Sequence, residues 1–291
     1  MFKQELEQKI QCVNTFLEKY FIKNDNYQKN IYDAMAYSLF AGGKRIRPVI
    51  AMACAELFGD AQKVMPFACA LEMLHTYSLI HDDLPCMDDD DLRRGKPTNH
   101  VVYGEAMAVL AGDALLTRVF ETALKHSELS PEDTIKAVTI LAEAGGTEGM
   151  IGGQVIDIES EAKQIDAATL NALHIHKTGA LIIAAAKLGA IAGGACEEDI
   201  ERVESYAKDL GLAFQIKDDI LDVEGDASIL GKNIGADDKN EKNTFVKLYG
   251  IEKSKELLAK YTSDAKESLK PYGDKADFLL NLADFLLKRD N

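Results

Sequence analysis

TGALIIAAAKLGAIAGGA, residues 178–195, sets the fold class. Apolar side chains fill nearly every position without alternating, so it does not read as a half-buried strand. Its alanine and glycine content, with Lys187 inside the run, reads as a buried helix rather than a membrane span. Working outward, 167–192 and 102–126 are both apolar nearly all round, the mark of helices buried on more than one side. Helices are expected near 3–20, 28–40, 48–58, 62–84, 102–126, 132–145, 147–160, 167–192, 197–224, 239–249, 251–268 and 274–288. No run shows sustained alternation. Pro131, after Ser130 and before Glu132 and Asp133, reads as a helix start, and Pro48, Pro66 and Pro271 read the same way. No Pro-, Gly- or Ser-rich linker and no internal repeat divides the chain. One all-α domain over 1–291 is expected, with a central helix layer or a helical barrel.

The composition, 47% hydrophobic and 28% charged, is that of a chain with a substantial core. A net charge of -15 argues against a nucleic-acid surface and against docking on anionic lipid. Five scattered cysteines, with no Cys-x-x-Cys pair, fit a reducing cytoplasm rather than a disulfide framework or zinc site. The N-terminal MFKQELEQKIQCVNTFLEKYF reads as an amphipathic helix, not a signal peptide.

Two acidic segments carry the chemistry. The first, HDDLPCMDDDDLRRGKPT at 81–98, has six aspartates within ten residues. An acidic run alone is usually a solvated turn. Here it closes an apolar helix and is followed at once by Arg93, Arg94 and Lys96, and carboxylates are the hard oxygen ligands magnesium takes beside phosphates. Asp82 and Asp88 are six apart, about 240° on an ideal helix. Pro85 breaks the helix between them, and a local bulge is expected to bring them to one metal. In the second segment, FQIKDDILDVEGD at 214–226, Asp218 and Asp222 share a helix face and Asp219 points elsewhere. Two such segments 136 residues apart fit a clamp on a diphosphate through bridging metals.

These segments resemble the two aspartate-rich motifs of the trans-prenyl diphosphate synthases, the first in its bacterial short-chain form. GGKRIRP (42–48), GMIGGQVID (149–157), HKTGAL (176–181) and LGKNIGAD (230–237) agree with the same family in order. The resemblance implies the isoprenoid-synthase-type fold: about ten or more mostly antiparallel helices around a deep central cavity, as a homodimer. It implies that isopentenyl diphosphate is joined to an allylic diphosphate, with three magnesium ions per site and manganese as a substitute. By residue-wise match, Asp82, Asp88 and Asp218 hold metal, with Asp83, Asp219 and Asp222 as further or supporting carboxylates. Lys44, Arg47, His75 and Arg94 would bind isopentenyl diphosphate. Arg93, Lys177, Lys232 and Lys242 would contact the allylic diphosphate, and Lys177, Thr178 and Gln215 would flank the ionising carbon. The resemblance also implies that the released diphosphate takes the proton, so no side-chain base is expected.

His75 lies two turns before Asp82 on nearly the same helix face, and Gln215 one turn before Asp218. His174 and His176 read as structural or surface residues. Glycines 149, 152 and 153 fit close approach of helices or ligand, with Gln154 and Asp157 following as supporting residues. In the family these motifs resemble, bulk just before the first motif stops the product tail, so the resemblance implies that Tyr77 and Ser78, five and four residues before Asp82, limit it and that the product is farnesyl. The alternatives are a geranylgeranyl or mixed-length synthase, a non-catalytic partner subunit, and a structural cation-binding protein. The complete aspartate motifs argue against the second, and the adjoining basic residues against the third.

Overall fold

The structure, a computed structural model, describes residues 1–21, 27–224 and 242–288. The expected site residue Lys232, with all of LGKNIGAD, lies outside the described residues. The chain divides into two compact units, Met1–Met52 with Ala61–Val138, and Ala53–Asp60 with Thr139–Asn291.

The first unit is organised on α4 (Met65–Asp82), with α1 (Phe2–Tyr20), α2 (Lys29–Leu39) and α6 (Glu105–His126) packed around it. Pro66 lies in the first turn of α4, where a missing amide costs nothing. Every residue from Met65 to Leu74 is buried, then Thr76, Tyr77 and Ile80, so α4 is the helix covered on all sides. On α1, Leu6, Lys9, Val13, Leu17 and Tyr20 are buried at helical spacing, forming one stripe. Helix α3 (Ile46–Glu56) begins in this unit and ends in the second.

One expectation needs correcting here. The segment 102–126 is not one helix buried all round. Gly104, at φ +85, separates α5 (Asn99–Tyr103) from α6. On α6 a stripe of small and medium residues (Ala108, Ala111, Gly112, Leu115, Val119, Ala123) lies inside, while Val109, Leu110 and Leu124 are exposed. Small residues let α6 approach α4 closely along one line. The remaining apolar side chains point away from it. The all-α expectation holds, the described residues adding to the helices one short antiparallel hairpin, β1 (Leu92–Arg93) and β2 (Lys96–Pro97), with Leu92 opposite Pro97 and Arg93 opposite Lys96. Strands of two residues carry no alternation to read.

Helix α7 (Pro131–Gly145) starts as expected: Ser130 Oγ accepts the Asp133 amide at 3.1 Å and donates to its carboxylate at 2.7 Å. The second unit then holds α8 (Met150–Ser160), α9 (Ala167–His174), a π-helical turn (Ile175–Gly179), α10 (Ala180–Gly193), α11 (Glu197–Glu224), α12 (Phe245–Tyr249), α13 (Ile251–Ser268) and α14 (Asp277–Lys288). Helix α10 buries Leu181, Ile182, Ala184, Ala185, Ala186, Leu188, Gly189, Ala190 and Ala192, nearly its whole circumference. By composition Ala167–Gly193 is long and apolar enough to cross a membrane, yet 61% of its apolar window is buried against the rest of the chain. Gly194, left-handed at φ +86, ends α10, and the Ala195 amide returns to the Ala190 carbonyl at 3.0 Å. A core of Leu170, Leu212, Ala213, Ile216, Ile220, Phe245 and Leu258 ties α9, α11, α12 and α13 together.

Candidate active site

Helix α4 delivers the first acidic segment. It ends at Asp82, and the next residues curl back on themselves. The Leu84 amide donates to the His81 carbonyl at 3.2 Å, Asp88 to Asp82 at 2.9 Å and Asp89 to Leu84 at 3.2 Å. The Asp88-to-Asp82 bond closes a seven-residue loop, Asp82 to Asp88, and brings the two backbones together. Asp82 is half-buried and Asp88 exposed. Asp83 turns inward: it is 3% exposed and takes Arg93 Nε at 2.7 Å and Nη2 at 2.5 Å. Burial pushes the Asp83 carboxyl up, and Arg93 offsets this only in part.

The hairpin places the arginines. Arg94 and Gly95, at φ +54 and +73, form its two-residue turn, the type I′ geometry that suits strand twist. The Arg94 guanidinium donates to the Gly42 carbonyl and covers Gly43, where a Cβ would come within 2.7 Å of Nη1. Gly43 itself is at φ +135, a backbone conformation that strains any residue with a side chain.

Of the basic residues in GGKRIRP, sequence reasoning passed over Arg45. It is 4% exposed, at φ +50, and its Nη1 meets Glu72 Oε1 on α4 at 2.7 Å. Its Nε donates to Asn14 Oδ1 at 3.0 Å and its Nη2 to the Leu39 carbonyl at 2.8 Å. Arg45 therefore anchors the segment that carries Lys44, which is exposed, and Arg47. Arg47 Nε is buried without a hydrogen-bond partner among the described residues. Burial, and then Arg47, Arg94, Arg93 and Arg45, push the His75 imidazole well below its usual value, so it is neutral at pH 7. The positive field of these arginines, one of them with an unused buried N–H, is of a kind that suits an anion. Ser78 Oγ donates to the His75 carbonyl at 2.9 Å. The Tyr77 phenol is pushed up to about 12 by burial and then by Asp82.

The second unit holds the other candidates. Lys177 and Thr178 lie in the π-turn, a wide turn that interrupts α9–α10 and is common at functional sites. Gly153 allows it close to α8: a Cβ there would be 2.1 Å from the Lys177 amide nitrogen. Asp157, also on α8, takes Lys177 Nζ at 2.5 Å and has Lys242 Nζ at 3.9 Å. Thr178 Oγ1 donates to Gln215 Oε1 at 3.2 Å, Gln215 Nε2 to Asp219 Oδ1 at 3.2 Å, and the Phe245 amide to Asp219 Oδ2 at 2.7 Å. This chain fixes the Gln215 amide and gives the buried Asp219 a positioning task. Asp218 and Asp222 lie half-buried on α11.

Among the described residues no three or more His, Cys, Asp or Glu side chains gather closely enough to enclose a cation. Magnesium keeps several waters and takes one or two carboxylates plus substrate phosphates. The hard carboxylate donors at Asp82 and Asp88, partly open to solvent, suit it.

His174 is 6% exposed and stacks on Phe245 with centroids 5.1 Å apart. Burial pushes it down to about 4, whereas an unfolded chain's histidine titrates near its usual ~6.5. Between those values the unfolded state binds the extra proton, so stability present above about pH 6.5 is lost as pH falls towards 4. From pH 6.5 to 5 this one residue costs on the order of 1–2 kcal/mol. Urea midpoints at the two pH values will show a smaller difference in His174→Phe than in the parent.

A family model described as polyprenyl synthetase matches residues 28–272. The chain is 48% identical over 261 residues to the farnesyl diphosphate synthase of Bacillus subtilis, covering 89% of this chain and 88% of that one. It is 51% identical over 269 residues to the heterodimeric geranylgeranyl pyrophosphate synthase large subunit 1 of Arabidopsis thaliana, covering 90% and 72%. Its structure resembles the crystal structure of an FPP/GFPP synthase from Zymomonas mobilis, with TM-score 0.88, 35% identity and 98% of each chain covered.

Proposed function

This chain belongs to the polyprenyl synthetase family, and we propose that it joins isopentenyl diphosphate to dimethylallyl diphosphate and then to the resulting geranyl diphosphate, giving farnesyl diphosphate and releasing one diphosphate at each condensation. It is a short-chain prenyl diphosphate synthase, a prenyltransferase acting on isoprenoid diphosphates. The observation that carries the site assignment is the basic cluster beside the acidic turn in one unit. Arg93 is paired with Asp83, and both it and Arg94 act on the neutral His75.

On this reading Lys44, Arg47, His75 and Arg94 hold isopentenyl diphosphate, and Arg93, Lys177, Lys232 and Lys242 hold the allylic diphosphate. Asp82, Asp88 and Asp218 would hold divalent metal, proposed as three magnesium ions, whose Lewis acidity stabilises charge on the leaving diphosphate. The allylic carbon–oxygen bond breaks with its electron pair leaving on diphosphate. Lys177, Thr178 and Gln215 face the resulting cation with preset dipoles, Gln215 being held by Thr178 and Asp219. The double bond of isopentenyl diphosphate supplies the pair for the new carbon–carbon bond, and the proton then lost goes to the released diphosphate. The 291 residues act as one catalytic domain. The five free cysteines suit the cytoplasm, and the exposed apolar side chains Val109, Leu110 and Leu124 of α6 suit a homodimer.

The test is turnover of labelled isopentenyl diphosphate with geranyl diphosphate, with and without magnesium. Absence of metal-dependent product would sink the proposal. A twenty-carbon product is the second reading, favoured by relatives named as geranylgeranyl synthases. Chromatography of the product separates the two. Tyr77, 6% exposed at the end of α4, supplies the bulk that stops the chain. Tyr77→Ala is expected to lengthen the main product by at least one isoprene unit, and an unchanged length would remove the residue from that role.

A further inference from the structure

We propose that His81 is a positioning residue for product length, acting by holding the Tyr77 ring in place. This rests on the reading of Tyr77 as the wall of the product site. His81 follows Tyr77 by four residues, so the two share a face of α4. Their rings meet edge to face, centroids 5.5 Å apart and planes at 89°.

His81 is itself locked against α6. Its Nε2 lies 3.0 Å from the Val109 carbonyl and 4.0 Å from Asp113 Oδ1. Its ring occupies a notch that exists because residue 112 is glycine: a Cβ there would lie 2.1 Å from Nε2 and 2.4 Å from Cδ2. No side chain fits that space with the imidazole in place. The helical backbone of Gly112 needs no glycine for its own conformation, since only Gly104 in this region has positive φ. The notch is thus occupied by the ring that abuts Tyr77. Remove the ring, or displace it, and Tyr77 loses the ring packed edge to face against it. The barrier to a longer tail is then a two-ring device keyed to one glycine on the facing helix.

The experiment compares product lengths of the full-length enzyme and its His81→Ala, Gly112→Ala and Tyr77→Ala variants. All are supplied with geranyl and isopentenyl diphosphates and magnesium. His81→Ala and Gly112→Ala, each with Tyr77 intact, are expected to shift the main product by at least one isoprene unit. Gly112→Ala leaves every side chain of α4 in the sequence and decides alone where His81→Ala fails to fold. Turnover by these variants at the parental length, with Tyr77→Ala lengthened, overturns this inference and leaves the role of Tyr77 standing. An unchanged length in Tyr77→Ala removes both. A purely structural histidine would lower activity or thermal stability without moving the length.

Discussion

Asp82→Ala will turn over isopentenyl diphosphate about 10²–10³-fold more slowly than the parent, the scale of losing one preset electrostatic contact to a transition state. The substitution is well suited to isolating the carboxylate. The bond that closes the acidic loop runs from the Asp88 amide to the Asp82 carbonyl, so the alanine backbone keeps it. Asp88 stays where it is, and only one ligand oxygen pair is lost. Because Asp82 is half-buried and sits at a helix end, its removal costs little stability, and the thermal midpoint changes by no more than about 1–2 °C for a few tenths of a kcal/mol. The KM for isopentenyl diphosphate stays near the parental value, because Lys44, Arg47, His75 and Arg94, the residues proposed to hold it, are untouched. The measurement is kcat under saturating magnesium. A variant within about tenfold of the parent is below the range for such a contact and would disprove the assignment of Asp82.

Glu72→Ala has the largest expected effect on stability, a loss of about 3–5 kcal/mol. Its partner Arg45 is always charged, and the two side chains are 4% and 3% exposed. Removing the carboxylate strands a guanidinium among Asn14 and the Leu39 carbonyl, neutral acceptors that satisfy its N–H groups but not its charge. The cost is therefore mainly that of an uncompensated buried charge rather than the net worth of the pair. Replacing both members by Met and Leu recovers much of the stability, as buried pairs gain little over packed apolar groups. Urea unfolding of the two single variants and the double variant gives the coupling directly. A loss below about 1 kcal/mol in Glu72→Ala would place the pair among surface bridges. Since Arg45 ties GGKRIRP to α4, the double variant is also expected to bind isopentenyl diphosphate less well.

Much of this was legible from the sequence, for definite reasons. Helices such as α10 and α11 announce themselves because apolar periodicity and composition are local properties, and Pro131 and Ser130 mark a start by the same token. The turning back of Asp88 onto Asp82 follows from Pro85, a local breaker. What depends on distant partners was not legible. Lys44, Arg45 and Arg47 are alike in a sequence, and only Glu72, 27 residues on, separates the anchor from the others. The hairpin at Leu92–Pro97 had one usable signal, a Gly after Arg94 between two short extended pairs, and it was too brief to weigh. The π-turn at Ile175–Gly179 left no trace, because the phase shift of about 100° from one extra residue cannot be seen in a run that is apolar nearly all round. Residues 102–126 misled because an apolar helix reads alike whether both faces are covered or one is exposed.

The left-handed backbone of Arg94 changes how a mutational scan of this protein must be interpreted. At φ +54, in the turn of the hairpin, most replacements strain the main chain as well as deleting a guanidinium. An alanine there adds the two losses into one number and overstates the ligand contact. Arg94→Asn or Arg94→Gly tolerates the turn and removes only the charge, so their difference from Arg94→Ala measures the turn itself. Ranking the arginines by alanine scan would otherwise place Arg94 above Arg93 for a reason that has nothing to do with diphosphate.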